Sequence, residues 1–314
     1  MAVVETHVLI AANPKSGAIA SANRVAELRN AVQARGFHCE ILSDLECVRS
    51  TSNKLQAAGV LRAVVSAGGD GTADALANAL DAEIPLLIFP LGTENLLAKY
   101  LQLTGDVRQA CETLVVGQRK KIDVGKANNT LFLVMLSCGF DAEVVRHMHA
   151  IRTGHINRWS YTRPILNALF KYRFPRLRVQ TEATLGSEAP VGRDAAGGAG
   201  VAWLFVFNIP KYAAALNFCP QADPTDGLLD VCTFRNPGVH WGLGYFARLW
   251  TGSHQRMRGF VHQRCQRITI AAPVDAGQRE LKDVPFQIDG DPGGVLPLEI
   301  EVLPSRLTLL VPPV

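Results

Sequence analysis

Three short turns carry the residues best suited to chemistry: Asn13-Pro14-Lys15-Ser16-Gly17, Gly68-Gly69-Asp70-Gly71-Thr72 and Pro90-Leu91-Gly92-Thr93-Glu94-Asn95. Their glycines permit left-handed backbone angles and let a ligand approach the main chain closely. Each turn follows a short apolar run, and the second and third open helical patterns, so they offer backbone N–H groups at a helix start. That combination favours phosphate. Asp70 conflicts with a bare anion cradle, because a carboxylate repels phosphates. A bridging Mg2+, which takes carboxylate and phosphate oxygens together, removes the conflict. The turns therefore suit a Mg2+-bound nucleoside triphosphate. One such turn alone reads equally well as a tight strand-to-helix connection; repetition at successive strand ends is what argues for a site.

A second place stands far downstream, in Phe286-Gln287-Ile288-Asp289-Gly290-Asp291-Pro292. A short apolar strand delivers two carboxylates across a glycine. Facing a nucleotide, Asp289 would take the proton of a substrate hydroxyl while Mg2+ and backbone dipoles stabilise the phosphoryl group. The same residues also suit a plain hairpin turn, and both readings stay open here. Neither GxxxxGK[ST] nor GxGxxG occurs, so the P-loop and the Rossmann fingerprint are absent. No HExxH or comparable metal cluster appears, and the dispersed histidines read as structural or exposed.

The elements that must hold the turns alternate strictly over residues 1–125. Strands are expected at His7–Ala12, His38–Leu42, Leu61–Ser66 and Pro85–Phe89. Helices are expected at Ala20–Arg35, near Thr51–Ala58, at Ala73–Leu80 and from Glu94 to Leu101. Val25, Leu28 and Val32 form the apolar stripe of the first helix, and Gly36 stops it. Such alternation implies parallel strands with crossover helices, and ligands bind beyond the carboxyl ends of strands in those sheets. Residues 126–314 change texture. Strand-like runs at Leu131–Ser137, Val201–Asn208, Leu229–Phe234, Ile268–Ala272, Phe286–Ile288, Leu298–Leu303 and Leu307–Val311 predict an all-β sandwich or barrel. Helices interrupt at Tyr161–Phe170 and His240–Thr251, and Gly186–Gly200 reads as a surface loop.

Of the 314 residues 48% are hydrophobic and 19% charged, which excludes a disordered or collagenous chain. The length suggests about two domains. No apolar run is long enough to span a bilayer, and the N-terminus reads as a first strand, not a signal peptide. Seven scattered cysteines without a CxxC pair fit a reducing cytosol, with neither a disulfide framework nor a zinc site expected. Net charge is +4, but residues 1–125 hold 12 Lys+Arg against 13 Asp+Glu, leaving 20 against 15 for the remainder. Val144–Thr181 has eight basic residues and Val231–Val274 has six, with no acid in either tract. They suit an anionic partner.

The set of motifs resembles the diacylglycerol kinase catalytic-domain family, which includes bacterial diacylglycerol kinases, YegS-like lipid kinases and sphingosine kinases. Besides the three turns and Asp289–Asp291, the matches are Ser-Cys-Gly-Phe-Asp-Ala at 137–142 and Asp-Gly-Leu-Leu-Asp at 226–230, in the family's order. GGDGT alone also occurs in NAD kinases; the later motifs on a β-rich second half favour the lipid kinases.

The resemblance implies a phosphofructokinase-like α/β nucleotide-binding domain at 1–125 and a β-sandwich lipid-substrate domain at 126–314, with the active site in the cleft between them. It implies ATP, Mg2+ and transfer of the γ-phosphate to a lipid hydroxyl. Carried over by position, Asn13, Ser16, Gly17, Gly68, Gly69, Gly71, Thr72, Gly92, Thr93 and Asn95 would bind the nucleotide. Asp70 would hold the catalytic Mg2+ through ATP, and Asp289 would be the general base, with Asp291 behind it. Asp141 would contact the lipid headgroup, while Asp226 and Leu228 match a structural Mg2+ site. Two departures stand out. The family commonly has Asn-Asp where this chain has Asn95-Leu96, and Asp-Gly-Glu where Asp291 stands. They motivate an alternative, an inactive nucleotide- or lipid-binding regulator; an NAD kinase-like enzyme is the other. A lipid substrate also gives the basic tracts a purpose. His155–Phe174 mixes Arg and Lys with Trp, Tyr and Phe, as does Trp241–Trp250 in part, which suits peripheral contact of a cytoplasmic protein with an anionic membrane; packing of these aromatics inside the second domain is the equal alternative. No nucleic acid is expected, and a homodimer is left open.

Overall fold

The computed structural model describes residues 5–12, 19–150, 172–182, 200–213, 216–271 and 283–313. Asn13, Ser16 and Gly17, the expected helix Tyr161–Phe170, residues 186–199 and residues 155–171 of the basic aromatic stretch lie outside the described residues. The chain forms two compact units, one of residues 1–124, 213–215 and 303–314, the other of residues 125–212 and 216–302. The sequence reading ran the second domain to residue 314. Residues 303–314 instead belong with the first unit, where Leu309 pairs with Leu86 and Leu310 enters the core.

In the first unit β1 (His7–Ala12), β2 (His38–Leu42), β3 (Leu61–Gly68) and β4 (Leu86–Pro90) lie parallel in the order β2-β1-β3-β4. Parallel neighbours require crossovers, supplied by α1 (Ile19–Gln33), α2 (Leu45–Ala57) and α3 (Asp70–Ala79); α4 (Leu96–Tyr100) and α5 (Val107–Val116) follow β4. Val8, Ile10, Val65 and Phe89 of the sheet bury against Val25, Leu28 and Val32 of α1 and Val107 and Leu114 of α5. Each such side chain contributes about 1.5–3 kcal/mol. Helix α2 starts earlier than expected because Asp44 caps it, accepting the Cys47 N–H at 2.8 Å. Helix α5 was not anticipated; Asp106 caps it.

The second unit is a β-sandwich. One layer contains the C-terminal end of β5 (Gln118–Ala127), β6 (Thr130–Phe132), β8 (Arg178–Glu182), β14 (Arg267–Ala271) and the first part of β17 (Leu298–Val311). The other contains β7 (Met135–Cys138), β9 (Trp203–Phe207), β12 (Leu229–Phe234), β13 (Phe260–Cys265), β15 (Pro285–Ile288) and β16 (Asp291–Val295). Its order is β13-β12-β9-β7-β15-β16, antiparallel throughout. Among the described residues, a small hairpin, β10 (Lys211–Tyr212) and β11 (Leu216–Asn217), and two α-helices, α6 (Phe140–Ala150) and α7 (Val239–Trp250), accompany these layers. Leu136, Leu204, Val206, Val231 and Phe286 of one layer meet Ile268, Ile270, Leu298 and Ile300 of the other. The two strands expected at 298–303 and 307–311 are one. Ser305 takes φ 52° within it, and Asp123 Oδ1 accepts the Ser305 N–H at 2.7 Å.

Candidate functional site

Strands β3 and β4 are adjacent and parallel, with Gly68 opposite Pro90, so their following turns emerge at one sheet edge. The Leu91 N–H donates to the Gly68 carbonyl at 2.8 Å, and a Cβ on Gly92 would lie 2.6 Å from the Gly69 Cα. Only glycine lets the turns approach this closely. A Cβ on Gly68 would likewise fall 2.2 Å from Thr72 Oγ1. Gly71, Gly92 and Thr93 are exposed. The first amides of α3, on Asp70 and Gly71, precede the point where intrahelical acceptors begin, since the Thr72 N–H is the first to find one, the Gly69 carbonyl.

Asp70 opens α3 yet serves α4: its Oδ2 accepts the Leu96 N–H at 3.0 Å and its Oδ1 the Leu97 N–H at 3.2 Å. Burial pushes its carboxyl above the ordinary range, against the pull of these two N–H groups and of Lys99. Asn95 takes a left-handed conformation, φ 48°, and closes on Gly92, donating to its carbonyl at 2.7 Å and accepting its N–H at 3.1 Å. The expectation that Gly92 and Asn95 present free donors to phosphate is thereby corrected: the Gly92 amide and the Asn95 side chain are spent on each other. The residues still fit a Mg2+-bound phosphate chain. The first amides of α3 are without intrahelical acceptors, and each Asp70 oxygen keeps a further lone pair for a hydrated metal.

In the second unit Asp289 and Gly290 form the two-residue turn between β15 and β16, with φ 48° and 92°, as an Asp-Gly hairpin requires. The hairpin reading is therefore correct. The Asp289 carboxylate does more: Oδ2 accepts the Leu133 N–H at 2.6 Å, and Oδ1 accepts those of Val134 and Met135 at 3.0 and 2.7 Å. Three peptide donors hold it rigidly and occupy most of its acceptor capacity. Asp141 lies in the adjoining network. Ser137 Oγ and Tyr212 Oη donate to it at 2.5 Å each, and Gln287 Nε2 lies 3.4 Å away. Burial raises its carboxyl above the ordinary range despite these bonds. Gln287 also donates to Ser137 Oγ at 3.0 Å and accepts the Gly290 N–H at 2.8 Å, linking Asp141 to the hairpin. Sequence alone does not single out Ser137, Tyr212 or Gln287; Ser137 and Gln287 lie within quoted motifs, Gln287 on the face of β15 opposite the core residues Phe286 and Ile288. Asp291 is exposed and faces His149 at 3.8 Å.

Asp226 Oδ1 accepts the Leu228 N–H at 3.0 Å, and Arg264 approaches Oδ2 at 3.3 Å. Asp223, not singled out from sequence, makes the same kind of turn with the Thr225 N–H at 3.0 Å. Two carboxylates and the Leu228 carbonyl are a hard-oxygen set suited to Mg2+, but Arg264 already balances the charge of Asp226. The fit is incomplete.

Helix α7 buries Tyr245 and Leu249 and exposes Leu243, Phe246 and Trp250 at 59%, 55% and 69%. These three recur at helical spacing and form one apolar face away from the core. No helix among the described residues is long and apolar enough to cross a membrane.

Two family models together account for most of the chain: the diacylglycerol kinase catalytic domain over residues 7–127, and the YegS C-terminal NAD kinase beta sandwich-like domain over residues 134–311. A Mycobacterium tuberculosis protein named diacylglycerol kinase is 28% identical over 257 residues, covering 80% of this chain and 77% of that one. A Pectobacterium atrosepticum protein named probable lipid kinase YegS-like is also 28% identical, with 80% and 78% covered. Crystal structures from Bacillus anthracis, described as of a diacylglycerol kinase, superpose with TM-scores of 0.72 and 0.63. They are 18% identical, with 98% of this chain and 97% of that one covered, which shows a shared fold.

Proposed function

The chain belongs to the family that joins a diacylglycerol kinase catalytic domain to a YegS C-terminal NAD kinase beta sandwich-like domain, and on that premise we propose that it transfers the γ-phosphate of ATP to the hydroxyl of a diacylglycerol-like or related lipid. The observation that carries this reading is the junction of the two glycine turns through Asp70, Leu96 and Leu97. It makes one rigid rim from two loops at the carboxyl ends of parallel strands, where α/β sheets bind ligands. The amides at the start of α3 and the hydroxyls of Thr72 and Thr93 donate to phosphate oxygens, and Asp70 would hold a hydrated Mg2+. When bound, that ion would supply neutralisation of the charge on the phosphates.

Asp289 receives the proton of the lipid hydroxyl. Three peptide donors fix its position, which is what a loose phosphoryl-transfer transition state asks of its surroundings. In such a reaction positioning and electrostatics dominate and the proton moves late. Asp141, presented by Ser137, Tyr212 and Gln287, binds the polar headgroup beside the hydroxyl. Lipid access comes from peripheral contact of a cytoplasmic protein with an anionic bilayer, through the apolar face of α7 and the arginines of Val231–Val274, a tract without acid. Incubation with γ-labelled ATP, Mg2+ and a panel of lipid alcohols alongside NAD tests the reading. Labelled lipid supports it; label in NAD alone replaces it with an NAD kinase, and ATP binding with no transfer replaces it with a regulator.

A further inference from the structure

The second unit buries a polar cluster that the proposed transfer does not use. Strand β12 sends Leu229 and Val231 into the sandwich core, so Asp230 and Cys232 lie on its opposite face. Strand β13 runs antiparallel to it with His262 opposite Cys232, and Cys219, just beyond β11, closes over the pair. The donor atoms of Cys219, Asp230 and His262 all lie within 4.8 Å of one another. None of the three belongs to the glycine turns, the Asp289 hairpin or the Asp141 network.

One atom of this cluster lacks what burial demands. Asp230 is 1% exposed, and its Oδ1 meets His262 Nε2 at 2.5 Å. Its Oδ2 is buried with no hydrogen-bond partner. A buried carboxylate oxygen without a donor is costly, and such atoms commonly mark the place of an ion. The nearby guanidinium of Arg264 is turned to Asp226, and His262 engages Oδ1 alone. Oδ2 is therefore the oxygen open to a further cation.

We infer that Cys219, Asp230 and His262 form a binding site for a divalent transition metal of the zinc class. Sulfur, imidazole nitrogen and carboxylate oxygen are the donors Zn2+ takes, whereas Mg2+ and Ca2+ prefer oxygen alone. Metal–ligand distances of about 2.0–2.3 Å put tetrahedral ligands roughly 3.3–3.8 Å apart, so metal entry replaces the His262–Asp230 hydrogen bond and shifts the donor atoms by about 1 Å. Water would complete a four-coordinate set. Because the donors lie in one strand pair and the segment that folds over it, the ion would fasten that segment to the sheet.

The test uses the full chain, purified under reductant, stripped with chelator and titrated with Co2+ as a spectroscopic probe. The expected result is one equivalent bound with a thiolate-to-cobalt charge-transfer band, displaced by Zn2+ and unaffected by excess Mg2+. Cys219→Ser should lose the band and weaken Zn2+ binding at least about 100-fold in chelator competition. A Cys39→Ser/Cys47→Ser double variant, which removes the two cysteines that are not buried, should keep both. Absence of the band in the wild-type chain, its survival in Cys219→Ser or its loss in the double variant overturns the inference. If Cys219→Ser does not fold, X-ray absorption on the zinc-loaded wild-type chain decides. Mixed sulfur and nitrogen/oxygen ligation supports the site, and ligation by nitrogen and oxygen alone overturns it. No readout involves phosphoryl transfer, so this result and the kinase reading stand or fall separately.

Discussion

Asp70, the first residue of α3, accepts the backbone N–H of Leu96, the first residue of α4, at 3.0 Å. The bond joins the turns after two neighbouring parallel strands. It also bears on the departure at position 96, where the family commonly carries an acid. What residue 96 gives Asp70 here is its amide, which any residue but proline supplies. Leucine at this position is therefore compatible with an intact rim.

Asp70→Asn retains one oxygen for two amides and loses the charge that orients the metal. It should lower stability by about 1–2 kcal/mol and ATP-dependent turnover at least about 100-fold. Leu96→Ala keeps the amide and should retain turnover within about threefold. Thermal melts beside a turnover assay check both, and turnover unchanged in Asp70→Asn would leave Asp70 a purely structural role.

Asp289→Asn turns an NH2 group toward the peptide donors of residues 133–135. A cost of about 1–3 kcal/mol is expected from the unsatisfied contact. Turnover should fall at least about 100-fold, while calorimetric ATP affinity changes by less than about threefold. A loss of turnover no larger than the unfolded fraction accounts for would remove Asp289 as proton acceptor.

Burial raises the Asp141 carboxyl in the folded state, so the native protein binds that proton more tightly than the unfolded chain does. The associated stability is present below the ordinary carboxylate range and is lost as pH rises through the raised value. Asp141→Asn mimics the protonated form. Denaturant melts from pH 4 to 7 should show wild type losing stability relative to the variant as pH rises; a constant difference would contradict the assignment.

Replacing Leu243, Phe246 and Trp250 of α7 together by serine should weaken binding to anionic vesicles at least about tenfold, since each removes an apolar side chain worth about 1.5–3 kcal/mol on insertion. Added salt should weaken wild-type binding further. Vesicle sedimentation reads both effects. Equal binding of variant and wild type would clear this face of the role.

Local signals were readable in the sequence; distant pairings were not. The strand and helix sequence of the first unit follows from apolar runs and from the stripe Val25, Leu28, Val32, all buried in the core. The glycine turns were visible as turns, but not that Asn95 would consume the Gly92 amide, because that depends on one left-handed residue. Asp289 was legible as a hairpin residue and as a reactive carboxylate. Its clamp on residues 133–135 joins segments more than a hundred positions apart, and no local pattern reports it. Tyr212 on Asp141, and the meeting of Cys219, Asp230 and His262, were hidden for the same reason. Helix α5 was missed although Asp106 and the buried spacing Val107, Ala110, Leu114 announce it.

The most direct test is phosphoryl transfer itself: the full chain with γ-labelled ATP, Mg2+ and vesicles of a total lipid extract, products identified by mass spectrometry, with NAD supplied in parallel. Phosphate gained at a lipid hydroxyl, dependent on Mg2+ and abolished in Asp70→Asn, is the predicted result. Labelled NAD with every lipid unmodified would contradict the account.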